Sequence, residues 1–137
     1  MTSATSPSGV VTASGEINNM LAYYVFDANG TNYWQSNGAT NQWVAYESVN
    51  PYIVKSVSIT PYEATTIRVK NFIVQGSNNG TDWDNIYSGV CQATASKQTF
   101  KFANEQAFTH HRLLVVDHYG TDSIMITQLQ FYGKAND

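Results

Sequence analysis

Few side chains in this sequence could perform covalent chemistry. The one cysteine, Cys91, cannot form an internal disulfide, and its neighbours include no base or cluster of positive charge that would activate the thiol. His110 and His111 are adjacent, and adjacent strand residues face opposite sides of a sheet, so they should not share a metal ion. We predict structural roles for all three residues.

Motifs for enzymatic chemistry are absent from the sequence. It contains no zinc-type spacing of Cys and His, no glycine-rich phosphate loop and no Ser/His/Asp arrangement. A carboxylate pair for glycoside hydrolysis stays compatible with the composition, but one small domain with polar turns should not form the deep cleft that such a pair requires. We therefore predict that the chain is not an enzyme.

The composition points to a neutral, polar surface. Charged residues make up 12% of the 137 residues, and the net charge is -3, whereas about 25% charged residues is usual. No Lys/Arg cluster could neutralise phosphates, so nucleic acid is excluded as a partner. A surface built from Asn, Gln, Ser, Thr and Tyr suits neutral polar ligands and assembly into larger particles.

The elements that must position these side chains are strands. Apolar and polar residues alternate in VKSVSIT (54–60) and IRVK (67–70), whereas LLVV (113–116) is a continuous apolar run typical of a central strand buried on both faces. The change of parity between Ile126 and Leu129 predicts a bulge near Thr127–Gln128. Turn clusters such as SNGATN, SNNGTD and DHYGTD separate the strands. This pattern predicts an all-β, antiparallel β-sandwich.

One domain accounts for the chain. Residues 1–8 read as a polar linker and residues 9–137 as the domain, and no segment has the apolar length of a signal peptide or a membrane span.

Trp34, Trp43 and Trp83 flank polar loops. We expect them at the edge of the core with their indole N–H groups paired, and the alternative is that one of them serves as a stacking platform for a sugar.

Five segments in order resemble a known family. They are VVTASGEINNMLAYYVFDANGTNYWQS (10–36), NQWVAYES (41–48), NFIVQGSNNGTDWDNIYSG (71–89), HHRLLVV (110–116) and ITQLQFYG (126–133). Together they resemble the discoidin, or coagulation factor type C, domains, which include the family-32 carbohydrate-binding modules. The hairpin GSNNGTDW is the most specific piece, although Asn79 stands where Asp is usual. Arg112 fits the family's Arg-Leu position in a buried strand.

The resemblance carries expectations about fold and function. It implies a galactose-binding-domain-like, jelly-roll-like sandwich of about eight strands, with both termini at one end and the ligand-binding loops at the other. Such domains bind ligands and do not catalyse. Vertebrate members usually carry a bracketing cysteine pair, and the absence of that pair here places the chain on the bacterial or phage side.

The resemblance also implies a structural calcium ion in the turn DANGTNYW. Calcium prefers six to eight oxygen ligands. The candidates are Asp27, Asn29, Asn32 and Gln128, where Asn32 replaces a common Thr and Gln128 replaces a Glu that is frequent in the family. The loss of that carboxylate should weaken calcium binding. The alternative is an Asx-rich turn that is satisfied by its own backbone.

Sugar sites in the resembled family combine a stacking aromatic ring with polar loop residues. The equivalent loops here are GEINNMLAYY, QSNGATN, PYEATT and DHYGTD. We expect Tyr62 and Tyr119 as platforms and Glu63, His118 and Asn37 as hydroxyl partners. The further candidates are Asn18, Asn19, Tyr23 and Asn41. The expected ligand is a terminal galactose-like or amino sugar on a cell-surface or polymeric glycan.

Two other uses of such a domain stay open. One is a structural or protein-interaction role in a virion or cell-surface assembly without a sugar site. The other is phospholipid binding, for which Met20 and Leu21 would be the apolar spike, but no basic residues lie next to them in the sequence. In each case we expect an extracellular, cell-surface or virion location, within a larger protein that could act in cell adhesion or phage receptor binding.

Overall fold

The fold is organised around one strand of 20 residues, β3 (Gln42–Pro61), in a computed structural model. The structure describes residues 9–17, 20–26, 32–38, 40–62, 68–119 and 124–135. The other elements are β1 (Val10–Ala13), a 3₁₀ helix (Ala22–Phe26), β2 (Trp34–Gln35), β4 (Arg68–Val69), β5 (Asn71–Ser77), β6 (Asp84–Val90), β7 (Gln98–Lys101), β8 (Phe108–Val115), β9 (His118–Tyr119) and β10 (Met125–Ala135).

The two halves of β3 belong to two layers. Residues 42–47 pair with β1 and β8, and β5 and β6 continue this first layer. Residues 52–61 pair with β10, residues 56–59 also pair with β7, and β2 lies on the far side of β10. The short strands β4 and β9 form a separate antiparallel pair. The prediction of an all-β antiparallel sandwich is confirmed.

The core lies between these layers. The first layer contributes buried side chains such as Val44, Val74 and Leu113, and the second contributes Val57, Ile59 and Leu129. Each fully buried aliphatic side chain stabilises the fold by about 1.5–3 kcal/mol. Aromatic pairs close one edge, where the rings of Tyr87 and Phe102 stack at 4.9 Å.

The 3₁₀ helix covers part of the opposite edge. Its Ala22 and Val25 are buried, and the ring of Phe26 contacts Tyr46 at 5.4 Å and Phe131 at 6.4 Å. Phe26 therefore joins the two layers, because Tyr46 lies in β3 and Phe131 in β10. No helix in the described part of the chain is long and apolar enough to cross a membrane.

Strand β8 corrects one expectation. It is central, since it pairs with β3 on one side and β5 on the other. However, only Leu113 and Val115 are fully buried, while Leu114 and Val116 are half-buried. The prediction of burial on both faces was wrong because the second layer covers the inner face alone.

Two finer expectations are confirmed. The register between β10 and β3 shifts between Ile126 and Gln128, where the change of parity predicted a bulge. Val10 pairs with Glu47, and Ala135 pairs with Tyr52, so both ends of the described domain lie near the bend of β3. Residues 1–8, predicted as a linker, lie outside the described residues.

The hairpin between β5 and β6 is held by side chains of its turn. Asn79 Oδ1 accepts hydrogen bonds from the backbone N–H groups of Thr81 and Asp82, both at 2.8 Å, and Ser77 Oγ accepts one from Gly80 N–H at 2.9 Å. Gly80 has a φ of 76°, which favours glycine. The amide oxygen of Asn79 can thus serve where the resembled family usually has a carboxylate.

We predict that Asn79→Ala destabilises the domain by about 1–3 kcal/mol, because two turn N–H groups lose their acceptor. Asn79→Asp should cost less than Asn79→Ala, since a carboxylate oxygen accepts the same bonds, although it loses the bond that Nδ2 donates to Asp82 Oδ2 at 2.9 Å. Urea unfolding of the three proteins tests this. Equal stability of the Ala and Asp variants would contradict the role assigned to the side-chain oxygen.

The surroundings of Cys91, His110 and His111 favour structural roles. Cys91 is buried, and burial raises the pKa of its thiol to about 12, so the thiol stays protonated. His110 and His111 lie on opposite faces of β8 as predicted: His110 contacts Trp83, whereas His111 contacts Phe108 and Phe131. His111 is only 4% exposed, and its Nε2 has no hydrogen-bond partner.

His111 should make the stability of the domain depend on pH. Burial, with a smaller effect from His110, lowers the pKa of His111 from 6.5 to about 4. The unfolded chain therefore binds a proton that the folded chain excludes as the pH falls from about 6.5 to about 4, and stability falls over that range.

We predict that the wild type loses about 2 kcal/mol more than His111→Phe between pH 7 and pH 4.5. Urea unfolding at both pH values measures this difference, and the comparison cancels the titration of shared carboxylates. Equal losses of stability in the two proteins would contradict this prediction, because they would mean that His111 has the same pKa in the folded and the unfolded chain.

Candidate functional site

The described parts of the loops predicted to bind ligand lie at one end of the sandwich. Strand β3 begins there at Gln42, bends at the far end and returns to the same end at Pro61, beside the start of β10. Backbone hydrogen bonds join Ile17 to Gln35 and Ser36 to Ile124 across this end. We call this surface, formed by residues 14–17, 20–21, 32–38, 40–41, 62 and 116–119, the loop end.

The most prominent aromatic feature of the loop end is a pair of tyrosines. The rings of Tyr33 and Tyr62 lie 4.4 Å apart, inclined by 47°, and both residues are half-buried. Burial, the nearby charge of ionised Tyr62 and a hydrogen bond with Tyr62 raise the pKa of Tyr33. The two hydroxyls therefore form one polar edge beside two apolar ring faces.

The segment around Asn37 is fixed by a buried serine. Ser36 Oγ donates a hydrogen bond to Gly38 O at 2.6 Å and accepts one from Ile124 N–H at 2.9 Å. Asn37 is exposed and lies so close to Gly15 that any Cβ there would meet its amide at 2.0 Å. Asn41 is also exposed and has a φ of 55°. Both predicted asparagines therefore lie exposed at the loop end, and the bonds of Ser36 hold the backbone beside Asn37.

The neighbouring loop before the 3₁₀ helix is fixed in a similar way. Glu16 Oε2 accepts a hydrogen bond from Ala22 N–H at 2.6 Å, and Gly15 O accepts one from Trp34 Nε1 at 2.9 Å. The second bond confirms that the Trp34 indole N–H is paired, but Trp34 is fully buried in the core and does not lie at its edge. Tyr23, another candidate, packs against the core. The loop is thus held in place by its own side chains and by β2.

Tyr119 and His118 lie in a different part of the loop end. The Tyr119 hydroxyl donates to Cys91 O at 2.8 Å, and Lys70 Nζ lies 5.4 Å from the centre of its ring. His118 is 6% exposed, and its Nδ1 has no hydrogen-bond partner. Among the described ring contacts, none joins Tyr119 to Tyr62. The structure thus places the two predicted platforms in separate surroundings.

Several predicted residues cannot be placed. Asn18, Asn19 and Glu63 of the ligand set, and Asp27 and Asn29 of the metal set, lie outside the described residues. The other two metal candidates are half-buried: Asn32 precedes β2, and Gln128 follows the bulge of β10, the strand that pairs with β2. Their amide oxygens are suitable calcium ligands but carry no charge. No cluster of three or more His, Cys, Asp or Glu side chains occurs in the part of the chain that the structure describes.

A larger groove lies at the opposite end of the sandwich. It has a volume of about 670 Å³, and its walls include Phe26, Tyr46, Tyr52, Phe131 and Tyr132. None of the predicted ligand-binding residues lines it. The groove lies near both ends of the described domain, and aliphatic and polar residues such as Val54, Leu129 and Gln130 line it beside the aromatic rings.

Comparison with known proteins identifies the family. The family model described as NedA-like, galactose-binding domain matches residues 24–112, more than half of the chain. The chain belongs to this family of F5/F8 type C domains. No curated protein matches it.

Solved structures of family-32 carbohydrate-binding modules share the fold of this galactose-binding-like domain. One, from Clostridium perfringens in complex with GalNAc-β-1,3-galactose, is 17% identical, with a TM-score of 0.80 over 90% of this chain and 94% of that one. The family 32 module of Clostridium perfringens NanJ, in complex with galactose, is 17% identical, with a TM-score of 0.79 over 90% and 92%. The module of AlyQ, in complex with 4,5-unsaturated mannuronic acid, is 18% identical, with a TM-score of 0.77 over 90% and 93%.

Sequence reasoning overlooked Tyr33 in this galactose-binding-like domain. Tyr33 directly precedes the buried Trp34, and neighbouring residues of an extended chain face opposite sides. That alternation was a signal that Tyr33 faces outward. Its contact with Tyr62 could not be derived, because the two residues are far apart in sequence.

Proposed function

We propose that this domain is a non-catalytic carbohydrate-binding module whose loop end holds a terminal sugar. The observation that carries the proposal is the pair Tyr33–Tyr62, with rings 4.4 Å apart at the end where the polar loops converge. A sugar packs its C–H face on an aromatic ring and needs donors and acceptors for its hydroxyls. The two tyrosines offer both features in one place.

Polar partners for the sugar lie on the same end. Asn37 and Asn41 are exposed, and the bonds of Ser36 to Gly38 and Ile124 hold the backbone beside Asn37. Rigid placement lowers the entropic cost of ligand binding. In this arrangement Tyr62 and Tyr33 contact the ring of the sugar, and Asn37 and Asn41 contact its hydroxyls.

The ligand that we propose is a terminal galactose-like or amino sugar. Structures that share this fold contain galactose and GalNAc-β-1,3-galactose. An open loop surface buries little of one sugar, so affinity should lie between about millimolar and micromolar. Several copies in a parent assembly would raise the overall affinity through multivalency.

The chemistry of the described side chains supports binding without catalysis. The Cys91 thiol is buried with its pKa raised to about 12, and the buried His111 has its pKa lowered to about 4. Glu16, an acidic residue of the loop end, uses Oε2 to accept a backbone hydrogen bond. Cys91 and His111 are thus buried within the fold, and Glu16 stabilises a loop.

We further propose that the domain serves a larger extracellular, cell-surface or virion protein. The same fold occurs in a truncated AlyQ that contains a family 32 module and an alginate lyase domain, where the match covers 32% of that chain. The weak affinity expected for one exposed sugar also favours a role as one unit of a larger binder.

One observation favours the alternative of a protein-interaction domain. Val49 (77% exposed), Tyr52 (41%) and Tyr132 (40%) surround the aromatic groove opposite the loop end. Exposed apolar patches of this kind often mark contact surfaces. This alternative would be favoured by two results together. The folded protein would bind no glycan in the screen, and it would associate with another protein through a contact that Tyr52→Ser removes.

We predict that Tyr62→Ala reduces binding of the terminal sugar at least tenfold, because the sugar loses its ring contact, and that Tyr33→Ala has a similar effect. The test is a glycan array with multimerised, labelled protein, followed by calorimetry with the sugar that binds. Tyr119→Phe is the matched control, since it removes only a hydroxyl bonded to Cys91 O. Unchanged binding in both alanine variants, with intact folding, would move the site away from this pair.

Calcium binding by the turn at Asp27 is a separate proposal. Gln128 would contribute an amide oxygen, and a carboxylate at that position should bind calcium more tightly because it adds a negative charge. We predict that calcium raises the Tm of the wild type, that Gln128→Glu enlarges the rise, and that Asp27→Asn removes it. Thermal unfolding with calcium, magnesium or EDTA measures these shifts. No shift in wild type or Gln128→Glu would contradict calcium binding.

A further inference from the structure

The outer face of the first layer contains a second group of sugar-compatible side chains. Ala45 forms its floor: it is 4% exposed, yet it does not belong to the core between the layers. Trp43, Trp83 and Arg112 line a cleft of about 190 Å³ with it. We call this feature the tryptophan cleft. Thr12 and Glu47 complete its rim.

Strand register explains why the cleft exists. Ala45 is opposite Thr12 on one side and Arg112 on the other, and Arg112 is opposite Gln75. A small residue thus lies between larger neighbours, with Trp43 two positions before it. Trp83, from the turn between β5 and β6, contacts Arg112 from above the sheet.

Arg112 is a positively charged residue of the cleft. Its guanidinium carbon lies 4.1 Å from the centre of the Trp83 ring and 5.3 Å from that of Trp43. Its Nε donates to Gln75 Oε1 at 2.7 Å. Within the described residues it forms no ion pair, although it is half-buried. Half-buried arginines are well suited to bind planar carboxylates through two parallel hydrogen bonds.

The cleft also offers hydrogen-bonding groups for hydroxyls. Unlike Trp34, neither Trp43 nor Trp83 forms a hydrogen bond through its indole N–H with another described residue. The side chain of Glu47 is 48% exposed at the rim, and its Oε1 lies 3.6 Å from His110 Nε2. Thr12 adds an exposed hydroxyl-bearing side chain.

We propose that the tryptophan cleft binds one hexuronic acid residue of an acidic glycan. The sugar carboxylate pairs with Arg112, a ring edge contacts the tryptophans, and hydroxyls bond to the indole N–H groups and Glu47. The volume is below the roughly 300–1,000 Å³ of pockets for larger ligands, so it suits a single sugar ring. This site is independent of the loop end.

The first experiment is a titration of ¹⁵N-labelled protein, followed by NMR. The chain has three tryptophans, so three indole N–H signals report separately, and Trp43→Phe and Trp83→Phe assign them. Galacturonate and galactose are the matched probes, because they differ only at the carboxylate. We expect galacturonate to shift the Trp43 and Trp83 signals with roughly tenfold higher affinity than galactose. The Trp34 signal, bonded to Gly15 O, should stay in place.

Two variants test the residues of the cleft. Arg112→Gln should reduce galacturonate affinity to that of galactose. Ala45→Ile fills the floor of the cleft and leaves the charge of Arg112 in place. It should abolish the galacturonate shifts of the Trp43 and Trp83 signals, and it tests the site even if Arg112→Gln folds poorly. Lys55→Gln is the matched charge control: Lys55 pairs with Glu105 on the other layer, and its loss should leave galacturonate binding unchanged.

The results separate this site from the loop end. Galacturonate shifts of Trp43 and Trp83 that persist in Tyr62→Ala would support the cleft whether or not the loop end binds sugar. Unmoved indole signals, equal affinity for galactose and galacturonate, or shifts that survive Ala45→Ile would each overturn the proposal. Loss of galacturonate binding in folded Tyr62→Ala would also overturn it, because the sugar would then occupy the loop end.

Discussion

The pairing of β3 with four other strands is the constraint on which the rest of the structure depends. Its first half pairs with β1 and β8, and its second half pairs with β10 and β7. Because one chain segment belongs to both layers, a shift of register in either layer would move apolar side chains out of the core. The same strand begins and ends at the loop end, so the core also sets the spacing of the loops there.

This constraint explains how a domain with few charges can hold polar loops in place. Ser36 bonds to Ile124 and Gly38, and Glu16 bonds to Ala22, so short polar side chains satisfy backbone groups that the strands leave unpaired. The bonds of Ser36 are neutral and do not weaken with salt as ion pairs do. The loops can therefore present tyrosine rings and amides without a surrounding set of charges.

Local sequence patterns predicted much of the fold. The site was harder to predict because it depends on contacts between residues that are far apart in sequence. The hairpin and the bulge of β10 follow from turn residues and from a change of parity, which are local signals. The burial of Leu114 was misjudged because an apolar run does not show which face a second layer covers. Tyr33 meets Tyr62 only because β2 pairs with β10 and β10 pairs with β3, and alternation within one segment cannot show such a contact.

The two proposed sugar sites differ in how the fold builds them. The loop end depends on connections between strands, and such segments can change in length and sequence with little effect on the core. The tryptophan cleft depends on residues within β3 and β8, where Ala45 and Arg112 are opposite each other in a continuous ladder. Its floor and its charge are therefore as rigid as the sheet, whereas Trp83 comes from the turn between β5 and β6. A sugar bound in the cleft and another at the loop end would contact different surfaces of one rigid domain, so a single branched or acidic glycan could gain affinity from both without any change in the protein.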